Sequence, residues 1–166
     1  MKYFWHYNSL LGEIFMQSDG VNLTGLKFGK FSDFGAEFKE QNLQIFKDTC
    51  LWLDIYFSGN LPNFTPKISL NSLNGSEFAK QIWQILLQIP YGKTTSYSEI
   101  AQKIAIQKGM AKMSAQAVGG AIGKNPIAII IPCHRVIGTS GKLVGYAYGV
   151  DKKEFLLNLE RSNLKF

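Results

Sequence analysis

The chain has 166 residues, 46% hydrophobic and 13% aromatic, enough to pack one medium domain or two small ones and too much for a disordered chain. Two cysteines, Cys50 and Cys133, exclude a disulfide scaffold, and two distant histidines, His6 and His134, make no recognisable structural-zinc set. The formal charge of +6 is unevenly placed: residues 1–92 hold seven Lys against eight acidic residues, and residues 93–166 hold eleven Lys or Arg against four, so the C-terminal half is the one suited to a polyanion.

The first thirty residues carry polar side chains every few positions, so they contain no signal-peptide core and no membrane span, and a cytoplasmic protein is expected. "YFWHYN", "GEIFMQS" and "LTGLKFG" read as short strands broken by turn signals such as Asp19-Gly20. In "EFKEQNLQIFKDTCLWLDIYF" the residues Phe38, Phe46, Cys50, Leu53 and Phe57 fall near helical spacing. Two Pro and two Gly in "SGNLPNFTPKISLNSLNG", residues 58–75, then mark a connector. The expected division is a small α/β domain with its connector over residues 1–72 and a second domain over 73–166.

Past the connector the pattern is helical. "NGSEFAKQIWQILLQI" places Phe78, Ile82, Ile85, Leu86 and Ile89 on one face, and after the turn "PYGKTT" the segment "SYSEIAQKIA" opens with Ser96 and Glu99 in capping-box spacing. "SAQAVGGAIG" starts at a plausible N-cap, Ser114, and is built almost wholly of small residues. Gly119 and Gly120 cost a helix roughly 1 kcal/mol each relative to Ala, so a side-chain-poor face must serve close approach, either to a neighbouring helix or to a DNA groove. "DKKEFLLNLE" begins with Asp151 and Glu154 in box-like spacing, turns Phe155, Leu156 and Leu159 inward and carries Glu160 behind them.

The stretch "IIIPCHRVIG", residues 129–138, sets adjacent Cys133 and His134 at the end of an apolar run. A free thiol with a pKa of about 8.5 is mostly protonated at neutral pH, so a nucleophilic role needs a base. Neighbouring side chains on an extended segment point apart, so His134 must reach Cys133 through a turn or a water, with a carboxylate to fix its tautomer. Glu160 is the candidate carboxylate. Taken alone, Cys133 reads equally well as a small buried hydrophobe.

"IPCHRV", preceded by "VGGAIGKNP" and followed by "GKLVGYAYGVDKKEFLLNLE", closely resembles the O6-alkylguanine-DNA alkyltransferases, and "FAKQIWQILLQIPYGKTTSYSEIA" extends the resemblance upstream, from about residue 76 to 160. The resemblance implies a ribonuclease-H-like α/β domain followed by a winged-helix-like domain containing a helix-turn-helix. It implies irreversible transfer of an alkyl group from O6-alkylguanine, and from O4-alkylthymine, in double-stranded DNA to the protein's own cysteine. That repair proceeds by base flipping from the minor groove, with a monomeric protein and no cofactor or metal.

Carried over by position, Cys133 is the nucleophile, His134 the water-mediated base, Glu160 the carboxylate orienting it, Tyr97 a donor to the ring nitrogen of the flipped guanine, and Asn125 the brace between helix and active-site turn. Gln116, Ala117 and Gly120 would meet DNA. Val136 and Cys133 would read the guanine amino group through their carbonyls, and Tyr146, Ala147, Tyr148 and Lys153 would line the base pocket. Arg135 is expected in an ion pair, and Lys93, Lys103, Lys108, Lys112 and Lys124 on phosphates. The sequence departs from the family pattern at Gln116, where an Arg is usual, at Tyr148, where Gly is common, and in lacking the zinc-binding set of some members. A non-catalytic lesion-binding protein and a Cys-His hydrolase are the competing readings; the first usually replaces the cysteine, and the second needs an oxyanion hole.

Overall fold

A computed structural model describes residues 1–30 and 37–163. Two compact units emerge: residues 1–73 with 126–128, and residues 74–125 with 129–163 of the described chain.

In the first unit, β1 (Lys2–Ser9), β2 (Gly12–Ser18) and β3 (Leu23–Phe28) form an antiparallel meander, and β4 (Phe38–Glu40) joins β1 in parallel, giving the order β3-β2-β1-β4. Gly12, the first residue of β2 after the two-residue link Leu10–Leu11, takes φ +105°, a conformation open to glycine at little cost. Asp19 accepts from the backbone N–H groups of Val21 and Asn22, closing the expected turn after β2. The helix α1 (Gln44–Phe57) buries Ile45, Phe46, Trp52, Leu53, Tyr56 and Phe57, with Ile14, Met16, Leu23 and Leu26 of the strands also buried.

Phe38 corrects the helical reading of its segment. Its backbone pairs with Lys2, and the helix begins only after Leu43. One aromatic residue four to eight positions before a helical stripe fits either period, so spacing could not separate strand from helix there. Cys50 is half-buried on α1.

Residues 126–128 rejoin this unit across a long stretch of chain. Leu26 N–H donates to Pro126 O at 2.9 Å, and Ala128 N–H donates to Leu26 O at 2.9 Å. The next residue, Ile129, has φ +69°, which is strained for a β-branched side chain and falls where the chain passes from one unit to the other.

The second unit holds α2 (Glu77–Leu86), α3 (Tyr97–Gln107), α4 (Ala115–Gly123) and α5 (Val150–Asn163), with β5 (Thr95–Ser96) parallel to β6 (Val136–Ile137). The two expected serine caps form, Ser96 and Ser114 accepting from the N–H groups of Glu99 and Ala117, and Ser76, which the sequence reading passed over, accepts from Ala79 N–H. Glu99 turns its carboxylate to the Thr95 hydroxyl. Trp83, which the α2 stripe leaves out, is fully buried, and its indole N–H donates to Ala121 O at 3.0 Å, fastening α2 to α4.

α5 begins at Val150, so Asp151 sits inside the first turn rather than at the cap. Its buried stripe is Lys153, Leu156, Leu157 and Glu160, while Phe155 and Leu159 are only half-buried. A stripe with a charged residue at each end is costly unless those charges are used. Among the described residues, no helix is long and apolar enough to cross a membrane.

Candidate active site

Three elements converge on Cys133. The segment after Ile129 folds Cys133–Arg135 into a single 3-10 turn, which solves the geometric problem of adjacent side chains by leaving the extended conformation. β6 follows directly and pairs with β5, which leads straight into Tyr97 at the start of α3. The C-terminal end of α4 runs into Asn125, whose Nδ2 donates to Ile131 O at 2.8 Å and whose side chain also hydrogen-bonds the Cys133 thiol.

Behind the turn lies a buried ionic cluster. His134 and Glu160 are both wholly buried, with Nε2 and Oε2 2.6 Å apart. Arg135 Nε donates to Glu160 Oε1 at 2.8 Å and its Nη1 to Ile89 O at 2.8 Å, and Gly92 N–H donates to Glu160 Oε1 at 3.0 Å. Burial alone would push the Glu160 pKa up, yet His134 and Arg135 outweigh it and hold the carboxyl down at about 2. Burial lowers the His134 pKa against the pull of Glu160, and the charges of Arg135 and Lys153 add to the lowering.

These shifts fix the tautomer. An ionised carboxylate only accepts, so Nε2 must carry the hydrogen of a neutral imidazole. The lone pair then lies on Nδ1, which is buried and makes no hydrogen bond to protein. His134 is thus oriented by one nitrogen and basic at the other.

Lys153 is fully buried, and its Nζ donates to Val144 O at 3.1 Å and Gly145 O at 3.0 Å, pinning the segment that precedes α5. Tyr97 OH donates to the same Val144 carbonyl at 3.2 Å. Burial raises the Cys133 pKa, while the Asn125 hydrogen bond and the Lys153 charge pull it down without cancelling the rise. The resting group is a thiol, and its proton has to leave during any reaction.

In front of the thiol is a cavity of about 150 Å³. Cys133, Asn125, Tyr97, Tyr146, Ala147 and Tyr148 line it, as do Gly119, Ile122, Gly123 and Gly145, which the sequence reading did not select. The signal for Gly119 and Gly123 was the small-residue helix itself. Burial keeps Tyr97, Tyr146 and Tyr148 protonated, Tyr148 at about 12, so all three hydroxyls are donors. The Tyr146 hydroxyl is buried without a protein partner, and its ring meets that of Tyr148 edge-on at 5.5 Å. Val136, His134, Glu160 and Lys153 stand outside the lining, whereas Gln116, Ala117 and Gly120 are exposed on α4.

The two central glycines of α4 can now be separated. A Cβ on Gly119 would meet the Tyr97 ring at 3.9 Å, an ordinary contact, and a Cβ on Gly120 would meet nothing within 4 Å. Packing inside the protein therefore demands neither of them.

Since Tyr148 forms part of the cavity wall, Tyr148→Gly is expected to enlarge it and to speed reaction of Cys133 with O6-benzylguanine by about tenfold, leaving smaller methyl substrates nearly unaffected. Single-turnover kinetics with both substrates check this, and equal benzylguanine rates would mean that the ring does not restrict entry.

The family profile described as 6-O-methylguanine DNA methyltransferase, DNA binding domain, matches residues 77–162, and that described as 6-O-methylguanine DNA methyltransferase, ribonuclease-like domain, matches residues 2–70. The methylated-DNA–protein-cysteine methyltransferase of Methanosarcina acetivorans is 42% identical over 162 residues, covering 96% of this chain and 99% of that protein. The protein of the same name from Mycobacterium bovis is 51% identical over 110 residues, covering 66% and 62%. Mycobacterium tuberculosis OGT, solved in complex with DNA, matches with a TM-score of 0.83 at 38% identity over 97% of this chain and 94% of that one.

Proposed function

Because the chain belongs to the 6-O-methylguanine DNA methyltransferase family, we propose that it repairs O6-alkylguanine in double-stranded DNA by moving the alkyl group onto Cys133, once per molecule, in the cytoplasm and as a monomer. It is a methylated-DNA–protein-cysteine methyltransferase, and its repair is direct reversal. The single observation that carries the residue assignment is the buried thiol lining the cavity, backed by a neutral histidine whose hydrogen-bonding to Glu160 leaves Nδ1 basic.

In the transfer, the Cys133 sulfur attacks the alkyl carbon, the S–C bond forms as the C–O6 bond breaks, and the electron pair of that bond leaves with the guanine. The thiol proton passes to His134 through a water. Tyr97 shifts its hydroxyl from Val144 O to the guanine ring nitrogen, countering the charge that develops on the leaving base. Summed over the reaction, the thiol proton ends on guanine. The carbonyls of Cys133 and Val136 read the amino group, Asn125 holds the turn, and Lys153 keeps the wall formed by Tyr146, Ala147 and Tyr148 in place.

DNA meets the exposed face of α4, where Ala117 and Gly120 present little side chain to a minor groove only about 6 Å wide. That Gly120 opens onto free space supports this over internal packing. Gln116 fills the stack left by the flipped base, a role its exposure on α4 supports. Residues 1–72 form the ribonuclease-like part, and residues 73–166 carry DNA binding and transfer.

Mixing the protein with an O6-methylguanine duplex is expected to add one methyl group per chain, on the peptide containing Cys133, as read by intact mass and peptide mapping. Modification at Cys50, or continued turnover with excess substrate, would overturn the assignment.

A further inference from the structure

Arg135 shares a 3-10 turn with Cys133 and His134 but does not line the thiol cavity. Its guanidinium lies behind the turn. Nε donates to Glu160 Oε1 at 2.8 Å and Nη2 to Glu160 Oε2 at 3.2 Å, so each carboxylate oxygen carries a hydrogen bond from the same planar fork. Oε2 is also the atom that His134 Nε2 meets at 2.6 Å. From the far side, Ile89 O accepts from Nη1 at 2.8 Å and the centre of the Tyr91 ring lies 5.7 Å from the guanidinium carbon, which keeps the fork on the carboxylate.

Charge decides what this arrangement does to the ring. Glu160 and Lys153 act on His134 from α5, and Cys133 and Arg135 flank it on the turn. Because guanidinium and carboxylate cancel, a proton on Nδ1 would add uncompensated positive charge where His134 and Glu160 are both wholly buried. A glutamate–histidine pair without the arginine behaves the other way. Its carboxylate would have no cation on its oxygens but the ring itself, which would then hold a second proton as imidazolium.

We propose that Arg135 is a positioning residue for alkyl transfer: by holding both oxygens of Glu160 it lets that carboxylate orient His134 without charging it, and so keeps Nδ1 open for the Cys133 proton. It rests on the functional reading above. In transfer the thiol proton goes to Nδ1 through a water while the S–C bond forms and the C–O6 bond breaks, and an occupied Nδ1 cannot take it.

The test reads the ring and the reaction separately. The chain has two histidines, so His6→Gln leaves the His134 nitrogens alone to be observed by nitrogen NMR. In that parent background Nδ1 is expected to stay unprotonated from about pH 8 down to about pH 6, with single-turnover methyl transfer from saturating O6-methylguanine duplex changing less than about threefold. Arg135→Met is expected to bind the duplex within about twofold of the parent, to carry a proton on Nδ1 at about pH 6, and to transfer about tenfold more slowly there than at about pH 8. Arg135→Lys keeps a positive charge but loses the fork, and is expected to melt lower than the parent yet to restore its pH profile. A purely structural role would lower both melting temperatures while leaving the nitrogen signals and the shape of the pH profile unchanged, and that result would overturn the proposal. So would a protonated Nδ1 in the parent at about pH 7, which needs no variant to fold, and so would a protonated Nδ1 in Arg135→Met with no loss of rate. A parent that binds duplex but leaves Cys133 unmethylated refutes the transfer reading alone, and the nitrogen signals still decide whether Arg135 keeps Nδ1 open.

Discussion

Cys133→Ser is expected to bind damaged duplex within about twofold of the parent and to lose alkyl transfer by a factor on the order of a thousand or more. Serine preserves the shape of the site, and Cys133 is only 8% exposed, so the DNA-facing surface is untouched. What is lost is the proposed nucleophile. A hydroxyl is far less acidic than a thiol, and a neutral imidazole held only by Glu160 cannot ionise it. The second cysteine offers no rescue: burial, reinforced by the negative Asp54, pushes the Cys50 thiol up to about 11. Anisotropy and mass spectrometry on the same preparations separate binding from transfer. Methyl transfer persisting in Cys133→Ser would move the acceptor elsewhere.

The sequence exposed this site unevenly, for physical reasons. The strands β1 to β3 and the helices α2 to α4 were legible because each carries a strong local signal, a turn or a serine cap beside a periodic apolar run. Phe38 misled because a single aromatic residue satisfies both periods when no neighbours arbitrate. Trp83 was missed because its place in the core depends on Ala121, thirty-eight positions away, offering a carbonyl to its indole. Local pattern carries no trace of that pairing.

The α5 stripe shows the converse. Hydrophobic periodicity favoured Phe155 and Leu159, yet the helix turns Lys153 and Glu160 inward, because each finds fixed partners there that repay its burial. The family resemblance implied that Glu160 orients His134 and that Lys153 lines the base pocket, but periodicity signalled neither burial. Lys153 grips the carbonyls of Val144 and Gly145, and so acts on the cavity through the backbone of its wall rather than from its lining. The return of residues 126–128 to the first unit was equally illegible, since "PIA" has no strand length of its own and pairs through Leu26.

Glu160 carries the other large effect, and it is one of stability as well as chemistry. Its carboxylate accepts from His134, Arg135 and Gly92, so Glu160→Leu leaves a buried guanidinium with only the Ile89 carbonyl among these partners. Orphaning a buried charge typically costs about 3–5 kcal/mol, which urea unfolding would register as a large fall in midpoint. Glu160→Gln keeps the shape and an acceptor oxygen and is expected to lose less. The two proteins should also differ in acid. With its folded pKa depressed to about 2 from an ordinary 4.5, Glu160 contributes its full stabilisation above 4.5 and loses it progressively as pH falls toward 2. The parent's urea midpoint should therefore drop across that window more steeply than that of Glu160→Gln, which has no proton to gain there. Parallel acid profiles would show that the carboxylate is not ionised within the cluster, and the tautomer assigned to His134 would fall with it, since only an anion obliges Nε2 to carry the hydrogen and frees Nδ1 to take the proton from Cys133.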